Sequence, residues 1–286
     1  MQELVTKVAV VTGAGSGMGR AMARRFAAEG MRVALADVDA EPLEETERMI
    51  VEAGTAADDV LARLTDVASE SEVDALADLV FDTWGQVDLL VNNAGVFVGG
   101  FLWERPAADL QFVLGPNLWG ILHGIRAFVP RMIAQGTEGH IVNTVSAAGL
   151  LGTPYAGPYS ISKFAAFAAT EALASDLEAI GSPLKVTALC PGMVDTNIAT
   201  RSERHRPPEL ATETTDDRAF VSDMLAEVTA QGIDPAAVAE MVVDAVRAER
   251  FVQLTHDMYV PALKERGEAL AAGVLPARGE FGDAPG

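Results

Sequence analysis

One cysteine, three tyrosines, three tryptophans and four histidines are spread over 286 residues, and basic side chains number 21 against 41 acidic ones. Each scarcity excludes something. Cys190 alone cannot close an internal disulfide, so the fold must be held together by its core. The histidines, His123, His140, His205 and His256, fall in different predicted elements and form no metal-ligand cluster with Cys190. A net charge of −20 repels nucleic acid and anionic membrane surfaces. No run approaches the ~18 consecutive apolar residues of a membrane span. The start, Met1 to Lys7, lacks a basic stretch followed by a long apolar one, so no signal peptide is expected. There is no G-x-S-x-G elbow for a serine hydrolase. These absences leave an acidic protein expected in the cytoplasm, with 49% hydrophobic residues to build a core.

Short, β-branched apolar runs do recur: Val8–Val11, Arg32–Ala36, Val60–Leu64, Val87–Val91, Ile141–Val145, Lys185–Leu189 and Phe251–Leu254. They are mostly apolar rather than alternating, which suits strands buried on both faces of a parallel sheet. Helical spacing of apolar positions fills the gaps, at Arg20–Glu29, Glu41–Ala53, Ser71–Trp84 and Asp234–Arg247. Asp234-Pro235 opens the last of these with an N-cap residue and a proline at the first helical position. Seven strands with helical crossovers predict one doubly wound α/β domain over residues 1–274. Two segments depart from the pattern. Arg201–Asp217 is polar and carries Pro207-Pro208, which reads as a lid over a site or as a solvated loop. The tail over 275–286 is rich in glycine and proline and is expected to be flexible.

The first run ends in Thr12-Gly-Ala-Gly-Ser-Gly-Met-Gly19. Glycines at a strand-to-helix turn let a diphosphate approach the backbone and sit on the helix N-terminus. The spacing is not G-x-G-x-x-G, but a variant with Gly13, Gly17 and Gly19. The second run ends at Asp37, 18 residues beyond Gly19, where a carboxylate accepts from an adenosine ribose and repels a 2′-phosphate. Its expected neighbours, Ser16 and Val38, carry no positive charge, so NAD is expected over NADP. The bland alternative is an exposed acid at a turn.

Of the three tyrosines only Tyr159 has a lysine four residues on, Lys163, which a helix places on the same face. A phenol titrates near pH 10, and lowering it toward neutrality takes about 1.4 kcal/mol per unit. A neighbouring ammonium and the cationic ring of an oxidised nicotinamide are the sources on offer. Ser146 closes the fifth run thirteen residues before Tyr159, and Asn92-Asn93-Ala94-Gly95 closes the fourth. Both ends belong to the edge of an open α/β sheet where ligands bind.

Together with Asp66-Val67, Asn117 and Pro191-Gly192, in this order over about residues 5–256, these pieces resemble the short-chain dehydrogenase/reductase family of nicotinamide oxidoreductases. The resemblance implies a Rossmann-like fold with helices on both faces of the sheet, and it implies roles. Tyr159 would be the general acid/base, Ser146 would position the substrate oxygen, and Lys163 would bind the nicotinamide ribose and lower the tyrosine. Asn117 would hold a water that relays protons, although the proline before it departs from the usual aliphatic residue. Gly13, Ser16, Gly17, Met18, Gly19 and Asp37 would bind the cofactor's adenosine and diphosphate. Asp66 and Val67 would meet the adenine, and Asn93, Ala94 and Gly95 would lie along the cofactor. Pro191, Gly192, Val194 and Thr196 would meet the carboxamide. A homodimer or homotetramer is implied as well, in keeping with a Pro158–Ile180 helix that is apolar around much of its surface.

Segments expected to line the crevice, among them Val96, Phe97, Ala148, Leu150, Tyr155 and Met193, contain no charge. That suits a hydrophobic or aromatic secondary alcohol and its ketone. Arg201, Arg204, His205 and Arg206 either close over an anionic group or are solvated. Two other readings stay open: a lyase or epimerase that retains NAD, and a protein that binds NAD without turnover. The extension after the seventh run either walls its own site or alters assembly.

Overall fold

The seven apolar runs pair side by side as strands β1 (Val8–Thr12), β2 (Arg32–Asp37), β3 (Val60–Leu64), β4 (Leu89–Asn92), β5 (Gly139–Thr144), β6 (Leu184–Cys190) and β7 (Val252–Leu254). All six pairings are parallel, in the order β3-β2-β1-β4-β5-β6-β7. The computed structural model describes residues 1–207, 210 and 216–276. The expected tail beyond Pro276, and residues 208, 209 and 211–215 of the polar segment, lie outside them.

Crossovers run through α1 (Gly17–Ala28), α2 (Ala40–Glu52), α3 (Glu70–Trp84), α4 (Ala107–Leu114), α5 (Gly120–Gln135), α6 (Gly157–Ala179), α7 (Ile198–His205), α8 (Asp216–Ala230) and α9 (Pro235–Arg247), and α10 (Tyr259–Ala271) follows β7. Alternate strand residues feed the two faces. Ala9, Val11, Val33 and Leu35 pack under Met22 and Phe26 of α1 and Val238 and Val242 of α9. Val8, Val10, Leu90 and Ile141 pack on the other face under Leu76 of α3, Phe128 of α5 and Leu177 of α6. Each such buried side chain contributes roughly 1.5–3 kcal/mol. Asp234 caps α9 by accepting from the Ala236 N–H at 2.8 Å, with Pro235 at the first helical position.

The structure moves three expectations. The fourth strand starts at Leu89 because the Val87 N–H is taken by Gln135 Oε1 at 2.9 Å. The fifth ends at Thr144, so Ser146 stands two residues beyond it on a short 3₁₀ turn. The polar run from Arg201 opens inside a helix, α7, where Arg201 and His205 pair with carboxylates of the β2 end, and Arg206 just beyond it pairs with Asp109. β1 is flanked by β2 on one side and β4 on the other, so the strand order reverses there. A crevice at that reversal, above the strands' carboxyl ends, is where such sheets bind ligands.

Candidate active site

At the end of β1 the chain turns through Gly13 and Gly17, both at positive φ (67° and 48°). A Cβ on Gly13 would stand 2.9 Å from Ala94 Cα, and one on Gly19 would overlap the Gly13 carbonyl. Backbone therefore lies against backbone, leaving a cradle at the N-terminus of α1 that suits a diphosphate. Asp37, at the end of β2, fixes the turn by accepting from the Gly15 N–H at 2.8 Å. Thr12 Oγ1 accepts from the N–H groups of Asn93 and Ala94, at 2.9 and 3.1 Å, which ties the end of β4 to the end of β1.

Ser146, Tyr159 and Lys163 meet beyond β5. Ser146 Oγ accepts from the Ala148 N–H at 3.1 Å, and its 3.5 Å contact to the Pro191 carbonyl is weak enough to leave its proton available. The Tyr159 ring packs against Phe97, centroids 4.9 Å apart. Lys163 Nζ donates to the Thr144 carbonyl at 2.9 Å and lies 5.7 Å from the centre of the Tyr159 ring. Burial pushes the phenol up to about 12, against a smaller downward pull from Ser146, and pulls the lysine down to about 8. Tyr159 is thus a neutral phenol here, because burial outweighs the pull of Ser146. Asn117 sits fully buried on one π turn, Gly115–Trp119, which carries Pro116. It accepts from the Val96 N–H at 2.8 Å and donates to the Val96 carbonyl and Ser162 Oγ, both at 2.9 Å.

Two adjoining cavities follow the sheet edge and share Met18, Asn93, Gly95, Thr196 and Ile198. The larger is lined by Gly13, Ser16, Gly17, Gly19, Asp37, Asp66, Val67, Ala94 and Val96. The smaller is lined by Phe97, Ser146, Ala148, Tyr159, Lys163, Pro191, Gly192, Met193 and Val194. Leu150 packs into the core cluster of Val145 and Ala166, and Tyr155 joins Phe101 and Phe220; neither lines either cavity. Sequence reasoning missed Tyr259, Thr229 and Leu225, which line the smaller cavity from α10 and α8, so the extension walls its own site. It also missed a cation beside Asp37: Arg201 donates to Asp37 Oδ1 at 2.8 Å. No metal-binding group of His, Cys, Asp and Glu occurs among the described residues, and no helix there is long and apolar enough to cross a membrane.

A family model described as short chain dehydrogenase matches residues 7–207. The chain belongs to the short-chain dehydrogenase family. A short-chain dehydrogenase/reductase from Burkholderia phymatum, solved in complex with NAD, is 40% identical over 98% of this chain and 99% of its own, with a TM-score of 0.93. The CLA biosynthesis dehydrogenase/reductase of Lactiplantibacillus plantarum is 32% identical over 96% of this chain and 97% of its own length. The 2-(R)-hydroxypropyl-CoM dehydrogenase of Xanthobacter autotrophicus is 42% identical over 67% of this chain and 76% of its own. Short-chain dehydrogenases are oxidoreductases that use a nicotinamide cofactor, and the glycine cradle, the Asp37 carboxylate and the lining of the larger cavity fit a dinucleotide.

Proposed function

We propose that the protein is an NAD-dependent alcohol dehydrogenase or ketone reductase acting on hydrophobic or aromatic secondary alcohols, with Tyr159 as general acid/base. The observation that carries this reading is the meeting of Ser146, Tyr159 and Lys163 in a cavity that opens into the dinucleotide cleft. The nicotinamide, when bound, supplies or takes up the hydride. Tyr159 holds the proton: it donates from its phenol to the carbonyl oxygen in reduction and takes the proton back in oxidation. Ser146 donates to the same oxygen and stabilises the charge that develops there. Lys163 keeps an ammonium below the tyrosine, held by the Thr144 carbonyl. Asn117 pins the Val96 backbone between the two cavities. Phe97, Val145, Met193, Val194 and Leu225 surround the reacting groups and exclude water.

Among the described residues that line the smaller cavity Lys163 alone is charged, which supports an apolar substrate over a phosphorylated or CoA-linked one. Buried Asp37 at the ribose end, and the NAD complex of the Burkholderia phymatum relative, support NAD. Exposed Trp119 and Ile161, on the surface of the α5 and α6 region, suit a homo-oligomer. The test is reduced-nicotinamide absorbance over a panel of secondary alcohols of rising hydrophobicity, beside carboxylated analogues. Turnover that rises with apolar size and fails with the carboxylated analogues is the expected result; a preference for the charged set contradicts the reading.

A further inference from the structure

The cleft ends at Asp37, with Asp39 two residues on, and the chain places no basic residue next to either of them. The fold brings one from 164 residues further on. Arg201 of α7 donates from Nη2 to Asp37 Oδ1 at 2.8 Å and to Asp39 Oδ2 at 2.6 Å, and from Nη1 to Ser16 Oγ. The pair is well shielded, with side-chain exposures of 19% for Arg201 and 2% for Asp37. His205, one turn on, reaches Asp39 at 3.0 Å. A second guanidinium near the turn, that of Arg20, is committed to the Gly15 and Pro42 carbonyls and to Glu45.

A carboxylate offers about four lone-pair sites. On Asp37 three are taken, by the Gly15 N–H on Oδ2 and by the Asp39 N–H and Arg201 on Oδ1. One remains for a ribose hydroxyl, which is enough to hold an unphosphorylated ribose. Two bare carboxylates would repel a 2′-phosphate strongly. Here a single guanidinium bridges both, in the planar fork geometry that also suits a phosphate.

Resting on the reading of this cleft as the dinucleotide site, we propose that Arg201 sets the margin between NAD and NADP. Its guanidinium is the cation that a 2′-phosphate would meet, and it makes the Asp37–Asp39 end less exclusive than those acids alone. NAD remains preferred, because two carboxylates face one arginine. The selectivity of the site is then divided between a strand-end acid and a helix that also borders the substrate cavity, since Ile198 of α7 lines both cavities.

The experiment is a fluorescence titration of the full chain with NADH and with NADPH, without substrate, for the unaltered protein, Arg201→Met and Arg204→Met. Arg204 is exposed on the same helix and controls for net charge. In Arg201→Met the ratio of the NADPH to the NADH dissociation constant is expected to rise by about tenfold or more, with NADH itself changing by less than about threefold. High salt should narrow the difference between variant and unaltered chain. Because both constants come from one preparation, a fraction of unfolded variant cancels from the ratio. A ratio that stays put, parallel weakening of both dinucleotides, or an equal shift in Arg204→Met overturns the assignment while leaving the cofactor reading intact. If the unaltered chain binds neither dinucleotide, both fall.

Discussion

Lys163 Nζ lies 5.7 Å from the centre of the Tyr159 ring and donates to the Thr144 carbonyl at 2.9 Å. The two side chains share a helix face, yet the lysine is anchored to the end of β5. Its charge therefore acts on Tyr159 through space rather than through a hydrogen bond. In a site this dry, burial leaves the phenol at about 12. The cation of an oxidised nicotinamide is the further charge needed to make it a base.

The buried ammonium has a thermodynamic signature. A lysine at about 8 in the folded state, against an ordinary 10.5, is held at a cost that is full below pH 8. The cost is relieved as pH rises from about 8 to 10.5, where the unfolded chain still binds the proton. Lys163→Met is therefore expected to be more stable than the unaltered chain at pH 7, by roughly 1–3 kcal/mol after the Thr144 carbonyl loses its donor. Urea unfolding at pH 7 and pH 10 checks this: the gap should shrink at the higher pH, and a gap that widens contradicts it.

His140 predicts the acid limb. Thr187 Oγ1 donates to the Arg250 carbonyl at 2.6 Å, so at 2.7 Å it accepts from His140 Nε2, and Nδ1 stays unprotonated with no partner. Burial lowers this histidine to about 3. Its contribution to stability is present above pH 6.5 and is lost as pH falls from 6.5 toward 3, by up to ~1.4 kcal/mol per unit. His140→Leu should flatten the slope of unfolding free energy between pH 6 and 4. An unchanged slope would mean that other groups dominate acid unfolding.

Arg206, at the C-terminal end of α7, pairs with Asp109 of α4 at 2.6 Å, with side-chain exposures of 4% and 0%. Arg206→Met removes a charge-assisted hydrogen bond from a buried carboxylate and is expected to cost about 1.5–3 kcal/mol. The double variant Arg206→Met, Asp109→Leu should recover part of that loss. Denaturant melts of both, with amide exchange over α7, make the comparison. Single and double variants of equal stability would deny that the pair anchors the helix.

Gly19→Ala tests the cradle. The added methyl meets the Gly13 carbonyl and Asn93 Nδ2, so the turn must open, at roughly 1–3 kcal/mol of overpacking. NADH binding should weaken by more than the loss of folded protein explains, as read by titration beside circular dichroism. Binding as tight as in the unaltered chain would move the diphosphate away from this turn.

The sheet was legible because parallel strands buried on both faces leave unbroken apolar runs, and all seven runs form strands of one parallel sheet. Edges shifted where side chains outcompeted the ladder, as Gln135 does at Val87. The glycine turn, Asp37, Ser146, Tyr159 and Lys163 were legible because each sits at a strand end or at helical spacing from another. Arg201 was not. Its meaning lies in a partner 164 residues away, and a run of RSERH has the composition of a solvated loop whether or not its charges are paired. Tyr259 escaped for the same reason: it reaches the cavity from α10, and nothing local in the sequence points there. The π turn that holds Asn117 left only Gly115-Pro116 as a trace.

The central claim is that Tyr159 moves the proton. Turnover of an apolar secondary alcohol by Tyr159→Phe, measured beside NADH affinity in the same preparation, tests it most directly. The phenyl ring keeps the packing against Phe97 and removes only the hydroxyl, so the account predicts a fall in kcat of at least ~10²-fold with NADH binding nearly unchanged. A variant that retains most of its turnover would contradict the account and move the acid/base role to another residue.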